Sequence, residues 1–270
     1  SSSVVLQYML FQKAAQEGVK VLIDGQGADE CWGGYATHVS WHLQHLFRNN
    51  YKRFQTEKKQ LLENGFINSF TWKHYVAAWL PEKAAKKRQE KAIQEQLNHP
   101  HLNPDFYAAY YNDDALMQPV IKALDDSLYH DLVDGPLQVL LRFGDRNAMA
   151  HGIELRLPYL SPQLVSFAFS LQPEKKINQG YTKWLLREAY KKELPKEIVW
   201  RKGKIGFEPP QVTWMNQVNL QDLVMESRRS LVQQGILLPT ILEEPVQPTE
   251  AHAPNGYDWR YLCAAELLQK

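Results

Sequence analysis

The apolar positions near the N-terminus predict a helix that leads into a short buried strand. An irregular apolar face begins after Ser3, a plausible N-cap, and ends at Gly18, a residue typical of the position just past a helix. Residues 19–23 are then almost entirely apolar, and the turn Asp24-Gly25-Gln26-Gly27 follows at once. This order predicts an α/β fold with a parallel sheet. Because ligands of such folds bind beyond the carboxyl ends of the strands, residues 24–35 are the candidate site.

Most of the remaining chain has a helical pattern, so the fold is expected to be predominantly α-helical with few parallel strands. The charged run from Glu82 to Glu95 predicts a solvated helix face rather than a tail for polyanions. A turn at Asp134-Gly135-Pro136 is expected between two helices of residues 120–150. Further helices are expected within 36–115, from Pro162 to Leu171, from Thr182 to Lys191, over 211–238 and over 257–270, with loops at 201–210 and 243–256.

Composition narrows the class of protein. Lys and Arg total 31 and Asp and Glu total 30, a net charge of +1, which argues against a broad basic face for nucleic acid or anionic membrane. No apolar run approaches the ~20 residues that cross a bilayer, and no signal-peptide pattern is present. The two cysteines, Cys31 and Cys263, indicate a reducing, cytoplasmic setting. The opening Ser1-Ser2-Ser3 without Met predicts a processed product or a fragment.

The turn after the predicted strand has the composition of an anion and metal site. Two glycines around Gln26 let the backbone turn sharply and let a ligand approach main-chain N–H groups. If a helix starts near Ala28, its N-terminus favours an anion. The oxygens of Asp29 and Glu30 suit Mg²⁺ held together with substrate phosphates. The alternative is that both acids only complement the helix dipole.

A second cluster of charges lies between Leu-rich helices. Asp145, Arg146, Glu154 and Arg156 fall within twelve positions, and burying them is costly unless they pair with one another or with a ligand. They are therefore expected to form a support network. That network either is purely structural or aligns a catalytic loop.

A lysine stands at the start of the predicted helix 182–191. Lys183 and Arg187 are four residues apart and share one helix face. A cation in the first turn opposes the helix dipole, which makes sense if an anion such as pyrophosphate lies there. The alternative is a surface lysine that points away. Three further cations either add phosphate contacts or are plain loop charge: Arg201, Lys202 and Lys204.

Three histidines raise the question of a metal. His38, His42 and His45 lie near one helix face, but the segment lacks the Glu of a zincin motif, and no cysteine is placed to complete a tetrahedral site. An aromatic packing face is the favoured interpretation over zinc. Cys31 is expected to be a small buried hydrophobe.

Taken together, these segments resemble the synthetase half of glutamine-dependent asparagine synthetase and its close relatives. That family carries Gly-Glu-Gly-Ala/Ser-Asp-Glu with a later Gly-Gly-Tyr, a stretch ending Glu-x-Arg-x-Pro-Phe-Leu-Asp, Lys-x-x-Leu-Arg, and a tail with Leu-Pro, Arg, Lys and Gly-Phe. The corresponding segments here are Gly25–Glu30 with Gly33-Gly34-Tyr35, Glu154–Ser161, Lys183–Arg187, and Leu194–Pro209.

The resemblance implies the C-terminal part of an ATP-pyrophosphatase (adenine nucleotide alpha hydrolase-like) domain. In that family ATP and Mg²⁺ activate a substrate carboxylate as an acyl-adenylate, and ammonia derived from glutamine attacks it to give an amide. By analogy, Asp24, Gly25, Gly27 and Lys183 would bind the nucleotide, and Asp29 and Glu30 would hold Mg²⁺. The implied catalytic positions are Gln26, Lys183 and Arg187, with Lys183 stabilising the departing pyrophosphate.

One departure from the family pattern concerns the acceptor. Asparagine-forming members carry Glu where this chain has Gln26, and Gln cannot act as a base at neutral pH. The acceptor is therefore left open between aspartate, a related carboxylic acid and a sugar acid. A non-catalytic binding or assembly remnant of the same fold is the alternative.

The other departure concerns completeness. The Ser-Gly-Gly-x-Asp-Ser pyrophosphate loop and the glutaminase half with its leading Cys do not occur in this sequence. We therefore expect a partial synthetase domain over residues 1–210, with a helical insertion at about 36–115, and a helical extension over 211–270 that packs on it. Alone, the chain is expected to be inactive. It is expected to cover an unpaired strand edge by pairing with the missing half or by forming a homo-oligomer.

Overall fold

A computed structural model describes residues 2–79, 84, 86–87, 90–91, 93, 99–111, 119, 121–204 and 206–268. The helices with named bounds are, in chain order, α1 Ser3–Gln16, α2 Ala28–Trp32, α3 Ala36–Asn49, α4 Tyr51–Glu63, α5 Trp72–Ala77, α6 Pro104–Tyr110, α7 Leu124–Tyr129, α8 Pro136–Met149, α9 Pro162–Ser170, α10 Pro173–Lys176, α11 Trp184–Tyr190, α12 Lys196–Val199, α13 Gln211–Met215, α14 Val218–Gln233 and α15 Tyr257–Leu268. A π-helical segment, His130–Asp134, joins α7 to α8, and 3₁₀ turns occupy Pro158–Leu160 and Pro239–Glu243.

The chain forms two compact units. The described parts of residues 11–86 and 119–205 make one unit, here called the central unit. The described parts of residues 1–10, 87–118 and 206–270 make the other, here called the terminal unit. This division differs from the expected one at residue 210, because the segments 1–10 and 87–118 group with the C-terminal segment rather than with the site. The charged run Glu82 to Glu95, expected to be a helix face, lies largely outside the described residues.

The central unit contains a parallel pair of short strands. Strand β1, Val21–Ile23, pairs in register with β2, Glu154–Arg156. The side chains of Leu22 and Leu155 turn inward and pack beside Phe11 of α1 and Ile153. The parallel strand pair among helices is consistent with the expected α/β class. The sequence does not predict β2, because its polar–apolar–polar alternation covers only three residues and is too short to be recognised.

The larger core of the central unit lies between helices α3, α4 and α7. Val39, Leu43 and Leu46 recur on one face of α3 with helical spacing and are fully or almost fully buried. Phe54 and Leu61 of α4 pack against them. Ile177, which follows α10, is buried in the same core, so this core reaches the segments that lead into α11.

The terminal unit is built around α14 and α15. Its core contains Leu231, Leu237 and Tyr261. A buried ion pair joins the two helices, since the Nη2 atom of Arg228 lies 2.6 Å from Oδ1 of Asp258. The same guanidinium donates to the carbonyl oxygens of Ile241 and Glu244, so both charges are satisfied inside the unit.

Several predicted elements are confirmed. The first helix ends at Gln16, and Gly18 follows it with a φ of +79°. Residues 120–150 contain two helices joined around Gly135, and α9 begins at Pro162. The helix expected over 211–238 is instead α13 and α14, and the helix expected from Thr182 begins at Trp184. No helix of the described residues is long and apolar enough to cross a membrane.

Candidate functional site

The turn at the carboxyl end of β1 has the tight geometry that its glycines predict. The amide of Asp24 continues the sheet by donating to the carbonyl of Arg156, and its carboxylate accepts from the amide of Gly25 at 2.6 Å. Gly27 precedes α2 with a φ of +88°. A Cβ on Gly27 would lie 2.2 Å from Cδ2 of Leu160, so both the backbone angle and the space require glycine.

The central contact of the site joins the first and third predicted segments. The Nζ atom of Lys183 lies 2.8 Å from Oδ1 of Asp29. The Nζ atom of Lys204 lies 3.4 Å from the other carboxylate oxygen, Oδ2. Two ammonium groups therefore face one carboxylate, and the cluster has a surplus of positive charge. This cluster is called the Asp29 cluster below.

Gly34 makes room for this contact. A Cβ at Gly34 would lie 1.5 Å from Oδ1 of Asp29 and 2.8 Å from Cε of Lys183. Gly33, which ends α2 with a φ of +75°, turns the chain so that the backbone of Gly34 passes directly beside the pair. The Gly-Gly pair of the sequence is therefore a packing requirement of the Asp29 cluster.

The lysines keep Asp29 ionised. Burial by itself would raise the pKa of this carboxyl group, but the charges and hydrogen bonds of Lys183, joined by those of Lys204, outweigh it and lower the pKa below its usual value. The carboxylate is thus an anion at neutral pH, in a partly desolvated position where a cation or a donor binds it strongly.

Lys183 reaches this position through an uncommon backbone conformation. Its φ is +54° and its ψ +35°, in the left-handed region, and it serves as the N-cap residue of α11. The expected N-cap, Thr182, is instead a buried residue one position earlier. The amide of Lys183 donates to the carbonyl oxygen of Trp32 at 3.2 Å. The start of α11 is therefore tied to the end of α2, which carries Asp29.

Arg187 lines the same cavity, but its guanidinium binds the protein's own backbone. Its Nε atom donates to the carbonyl of Thr182 at 2.7 Å. Its Nη1 atom donates to the carbonyls of Val199 and Arg201. The expected catalytic Arg187 is thus a residue that fixes the segment 199–201 against the start of α11.

The Asp29 cluster opens into a cavity of about 420 Å³. The charged residues that line it are Asp29, Lys183, Arg187, Arg201 and Lys204. Apolar walls with a few convergent charged groups are a common form of a small-molecule site. The residues that form its apolar walls are Phe66, Tyr159, Leu186, Leu194 and Ile198.

Glu30 does not join Asp29 in this cavity, contrary to the expectation of a shared Mg²⁺ site. Its side chain is 1% exposed and accepts a hydrogen bond from the hydroxyl of Tyr35 at 2.5 Å. Neighbouring residues of a helix point about 100° apart, so one acid faces the cavity and the other faces the core. The Tyr35 ring in turn supports the cluster, because Nζ of Lys204 lies 3.7 Å from its centroid.

The other predicted nucleotide-binding positions lie on the turn rather than in the cavity. Asp24, Gly25, Gln26 and Gly27 are not among the described residues that line it. A Cβ placed on Gly25 would meet nothing within 4 Å, so the surface above this residue is open. Gln26 is half-buried.

The expected support network does not form. Glu154 and Arg156 pair with each other, with Oε1 2.8 Å from Nε, but both side chains are more than half exposed. Asp145 and Arg146 are also exposed, on the outer side of α8. The prediction was wrong because the charges lie on solvated faces, where pairing is not needed to offset burial.

The histidines of α3 do not form a metal site. Nε2 of His38 lies 2.9 Å from Oδ2 of Asp131, and both ring nitrogens of His42 are buried without a hydrogen-bond partner in the described residues. Nδ1 of His45 lies near the amide of Asn49. Within the described parts of the chain, no group of three or more His, Cys, Asp or Glu side chains could hold a metal ion. His38 and His42 are buried side chains of α3, as the favoured packing interpretation expects.

Sequence reasoning missed Phe66 among the residues that line the cavity, because Phe66 belongs to no motif at all. Three other wall residues fall within the motif segments, although no cavity was predicted from them: Tyr159, Leu186 and Leu194. The walls come from the chain just after α4, from the 3₁₀ turn Pro158–Leu160 and from α11 to α12, and no local pattern links those segments. Only the pair of glycines before Tyr35 could have pointed to a tightly packed contact.

Comparison with known proteins extends the resemblance from four motifs to nearly the whole chain. The asparagine synthase family model matches residues 1–268. The chain belongs to the asparagine synthase family. The match includes residues 36–115 and 211–268, where the motifs gave no resemblance. The family assignment made from the motifs is confirmed.

Individual relatives agree with the family match. Asparagine synthetase [glutamine-hydrolyzing] 1 of Bacillus subtilis is 27% identical over 243 residues, which are 80% of this chain and 35% of that protein. A putative asparagine synthetase [glutamine-hydrolyzing] of Mycobacterium tuberculosis is 27% identical over 214 residues, or 75% of this chain and 32% of that protein. The human asparagine synthetase [glutamine-hydrolyzing] is 47% identical over 60 residues, or 21% of this chain and 11% of that protein.

The chain therefore spans about a third of the length of the first two of these curated relatives. No solved structure matched the chain.

Proposed function

We propose that this chain is part of an ATP-dependent amidotransferase, in which a carboxylate is activated as an acyl-adenylate and then attacked by ammonia derived from glutamine. The observation that supports it most is the Asp29 cluster: two lysines converge on one carboxylate at the mouth of a cavity, within a family whose relatives are named glutamine-hydrolysing asparagine synthetases. The proposed place of the chain in the reaction is the site where pyrophosphate leaves ATP.

The two lysines are proposed to bind the phosphates. The ammonium groups of Lys183 and Lys204 lie on the same carboxylate, and Arg201 lines the cavity beside them. When the bond between the α-phosphorus and its bridging oxygen breaks, negative charge grows on the pyrophosphate oxygens. Fixed cations in a partly desolvated cavity stabilise that charge without reorganisation. Lys183 is the proposed catalytic group, and Lys204 a second phosphate ligand.

Mg²⁺ fits the site only through Asp29. Of the two acids expected to hold it, Asp29 alone reaches the cavity, while Glu30 is committed to Tyr35. One carboxylate oxygen together with substrate phosphates is a usual ligand set for Mg²⁺, whose charge when bound would help to neutralise the leaving pyrophosphate. Asp29 would then hold the metal, with Lys183 and Lys204 beside it as the ligands of the phosphates.

The acceptor is proposed to be aspartate, a related carboxylic acid or a sugar acid. Gln26 stands where the resemblance places a proton acceptor, and an amide cannot take a proton from ammonia. Gln26 is therefore proposed to orient the acceptor by hydrogen bonds, next to a nucleotide lying over the open surface at Gly25. The proton of the attacking ammonia would pass to another group or to water.

The partner of this chain is proposed to be the remaining portion of such an enzyme, which would supply the pyrophosphate loop and the glutaminase. The strand β1 pairs with β2 on one side, and the Ile23 side chain at its end is 75% exposed. We expect this edge to be covered by that portion or by a second copy of the chain. Light scattering of the isolated chain checks this, because a well-folded monomer without aggregation would contradict it.

ATP–pyrophosphate exchange by the intact polypeptide tests the activity. With a matching acid present, Lys183→Met should lower the exchange rate by roughly 10²–10³-fold, since it removes one preorganised charge from the developing anion. Lys202→Met is the matched control, because Lys202 is an exposed cation of the neighbouring loop that does not line the cavity. Unchanged exchange in Lys183→Met would exclude the proposed role.

The competing proposal is a non-catalytic binding or assembly module of the same fold, and Gln26 is the residue that favours it. The ligase and the binding module are distinguished by measuring ATP–pyrophosphate exchange of the unmodified intact protein with each of a panel of carboxylic acids. Exchange with any one of them supports the ligase. ATP binding without exchange across the whole panel supports the module.

A further inference from the structure

The terminal unit contains a second, smaller cavity that the proposed function does not use. Its volume is about 250 Å³. It lies where Gly256 and the N-terminal part of α15, with Trp259 and Arg260, meet the segment 251–253. Known small-molecule cavities are mostly ~300–1,000 Å³, so this one suits a ligand with few heavy atoms.

Two buried polar groups at this cavity have no hydrogen-bond partner in the described residues. One is the indole N–H of Trp259, which is buried within a residue that lines the cavity. The other is the hydroxyl of Thr249, which lies beside Gly256: a Cβ on that glycine would be 3.0 Å from Oγ1. A buried donor that lacks a partner is destabilising, so such a group points to a ligand or water that accepts from it.

The charge of the cavity is one-sided. Arg260 and His252 line it, and no carboxylate of the described residues does. The neighbouring acid, Asp258, is turned away and occupied, because its Oδ1 accepts from Arg228 and its Oδ2 from the amide of Gln247. The guanidinium of Arg260 lies over the Tyr257 ring and has no carboxylate partner within the described residues.

The remaining polar wall is already satisfied. Gln211 is 1% exposed, and its Nε2 donates to the carbonyls of Thr249 and Glu250. Its Oε1 accepts from the hydroxyl of Ser2 at 2.6 Å. Gln211 thus fixes the wall and offers nothing to a ligand. The donors without a partner in the described residues are the indole N–H of Trp259 and the hydroxyl of Thr249. Together with the side chains of Arg260 and His252, they can all bind a hydrogen-bond acceptor.

We propose that this cavity binds a small organic carboxylate, no larger than an amino acid. One carboxylate oxygen accepts from the indole N–H of Trp259, and the charge is balanced by Arg260, whose planar guanidinium suits a carboxylate. The proposal rests on the terminal unit alone and does not depend on the proposed function.

The indole ¹H–¹⁵N resonance of Trp259 gives a direct readout in the 270-residue chain. The resonance is identified by its loss in Trp259→Phe, with Trp214→Phe as the matched control. Acetate, L-aspartate and L-glutamine are titrated at constant ionic strength, with inorganic phosphate and chloride as comparison anions. We expect at least one carboxylate to shift the resonance downfield in a saturable way, with a Kd of about 1 mM or below.

Arg260→Gln tests the charge in a variant that folds, because Arg260 is exposed. It should weaken the saturable shift at least about tenfold, the equivalent of one charge-assisted hydrogen bond. Arg229→Gln, an exposed arginine of α14 away from the cavity, should leave it unchanged. The proposal is overturned if no carboxylate gives a saturable shift, if phosphate alone does, or if Arg260→Gln binds as tightly as the unmodified chain.

Discussion

The ammonium nitrogen of Lys183 lies 2.8 Å from Oδ1 of Asp29, although the two residues are distant in sequence and belong to different helices. The amide of Lys183 bonds to the carbonyl of Trp32 at the end of α2, so the backbone as well as the side chain holds this pair together. A contact fixed at both levels is the kind of preorganised group that charge stabilisation requires. It is the geometric basis of the proposed phosphate site.

Replacing Gly34 should disrupt the pair. In Gly34→Ala the new Cβ would start 1.5 Å from the Asp29 carboxylate, so the carboxylate or the backbone must move. We expect a loss of about 1–3 kcal/mol in the free energy of unfolding, measured in urea. Gly25→Ala is the control, because a Cβ there meets nothing within 4 Å, and its loss should stay below about 1 kcal/mol. Equal losses of unfolding free energy in the two variants would show that the space at Gly34 is not required for the contact between Asp29 and Lys183.

Replacing Arg187 by lysine should loosen the segment 199–201. A lysine cannot reproduce the fork that serves the carbonyls of Thr182, Val199 and Arg201, although the charge is kept. We expect a destabilisation of about 2–3 kcal/mol by denaturant unfolding. Arg229→Lys, at an exposed site, should change stability by less than about 0.5 kcal/mol. If Arg187→Lys were as stable as the unmodified protein but had lost pyrophosphate exchange, Arg187 would instead act directly in the reaction.

Removing the hydroxyl of Tyr35 should lower the stability of the protein, because the buried side chain of Glu30 loses a hydrogen-bond donor. Tyr35→Phe keeps the ring beneath Lys204 but leaves the buried carboxylate without this donor. Hydrogen bonds to charged groups contribute about 1.5–3 kcal/mol, and we expect the free energy of unfolding to fall by that amount. Tyr51→Phe, an exposed tyrosine, serves as the control. Unaltered stability in Tyr35→Phe would mean that Glu30 has a different principal partner.

His42 should make stability depend on pH. Burial, with smaller effects of Arg53 and His45, lowers the pKa of its imidazole to about 3. The unfolded chain takes up this proton near pH ~6.5, whereas the native chain does not, so stability is present above that pH and falls as the pH decreases toward 3.

The slope from one such proton is at most about 1.4 kcal/mol per pH unit. His42→Leu should reduce the slope of unfolding free energy between pH 6 and 4 by about that amount. His45→Leu, one turn away and hydrogen-bonded to Asn49, is the comparison. An identical slope in His42→Leu and the unmodified chain would contradict the buried, neutral state of His42.

How far the sequence predicts this site depends on whether a residue's role is local. The glycines of the turn and the helix after them are local features, and the structure has both at the expected places. The motif order also identified the family. The resemblance implies that Lys183 binds the nucleotide and that Asp29 holds its Mg²⁺, and the two side chains do meet, but no local pattern specifies that contact.

The predictions that were wrong depended on which way a side chain faces in the folded protein, or on a pattern too short to recognise. Neighbouring acids such as Asp29 and Glu30 look equivalent in sequence, yet the helix turns one to the cavity and one to the core. Asp145 and Arg146 suggest costly burial because Leu-rich segments flank them, but they occupy the solvated side of an amphipathic helix. Strand β2 escapes prediction because three residues are too short for an alternation to be recognised.

The left-handed backbone at Lys183 has a consequence for engineering this protein. Installing a conventional cap at a helix start is a common way to raise thermal tolerance. Applied to α11, it would relax the backbone and swing the ammonium away from its carboxylate. At this one residue, a gain in thermal stability would conflict with the position that the proposed phosphate site requires of Lys183.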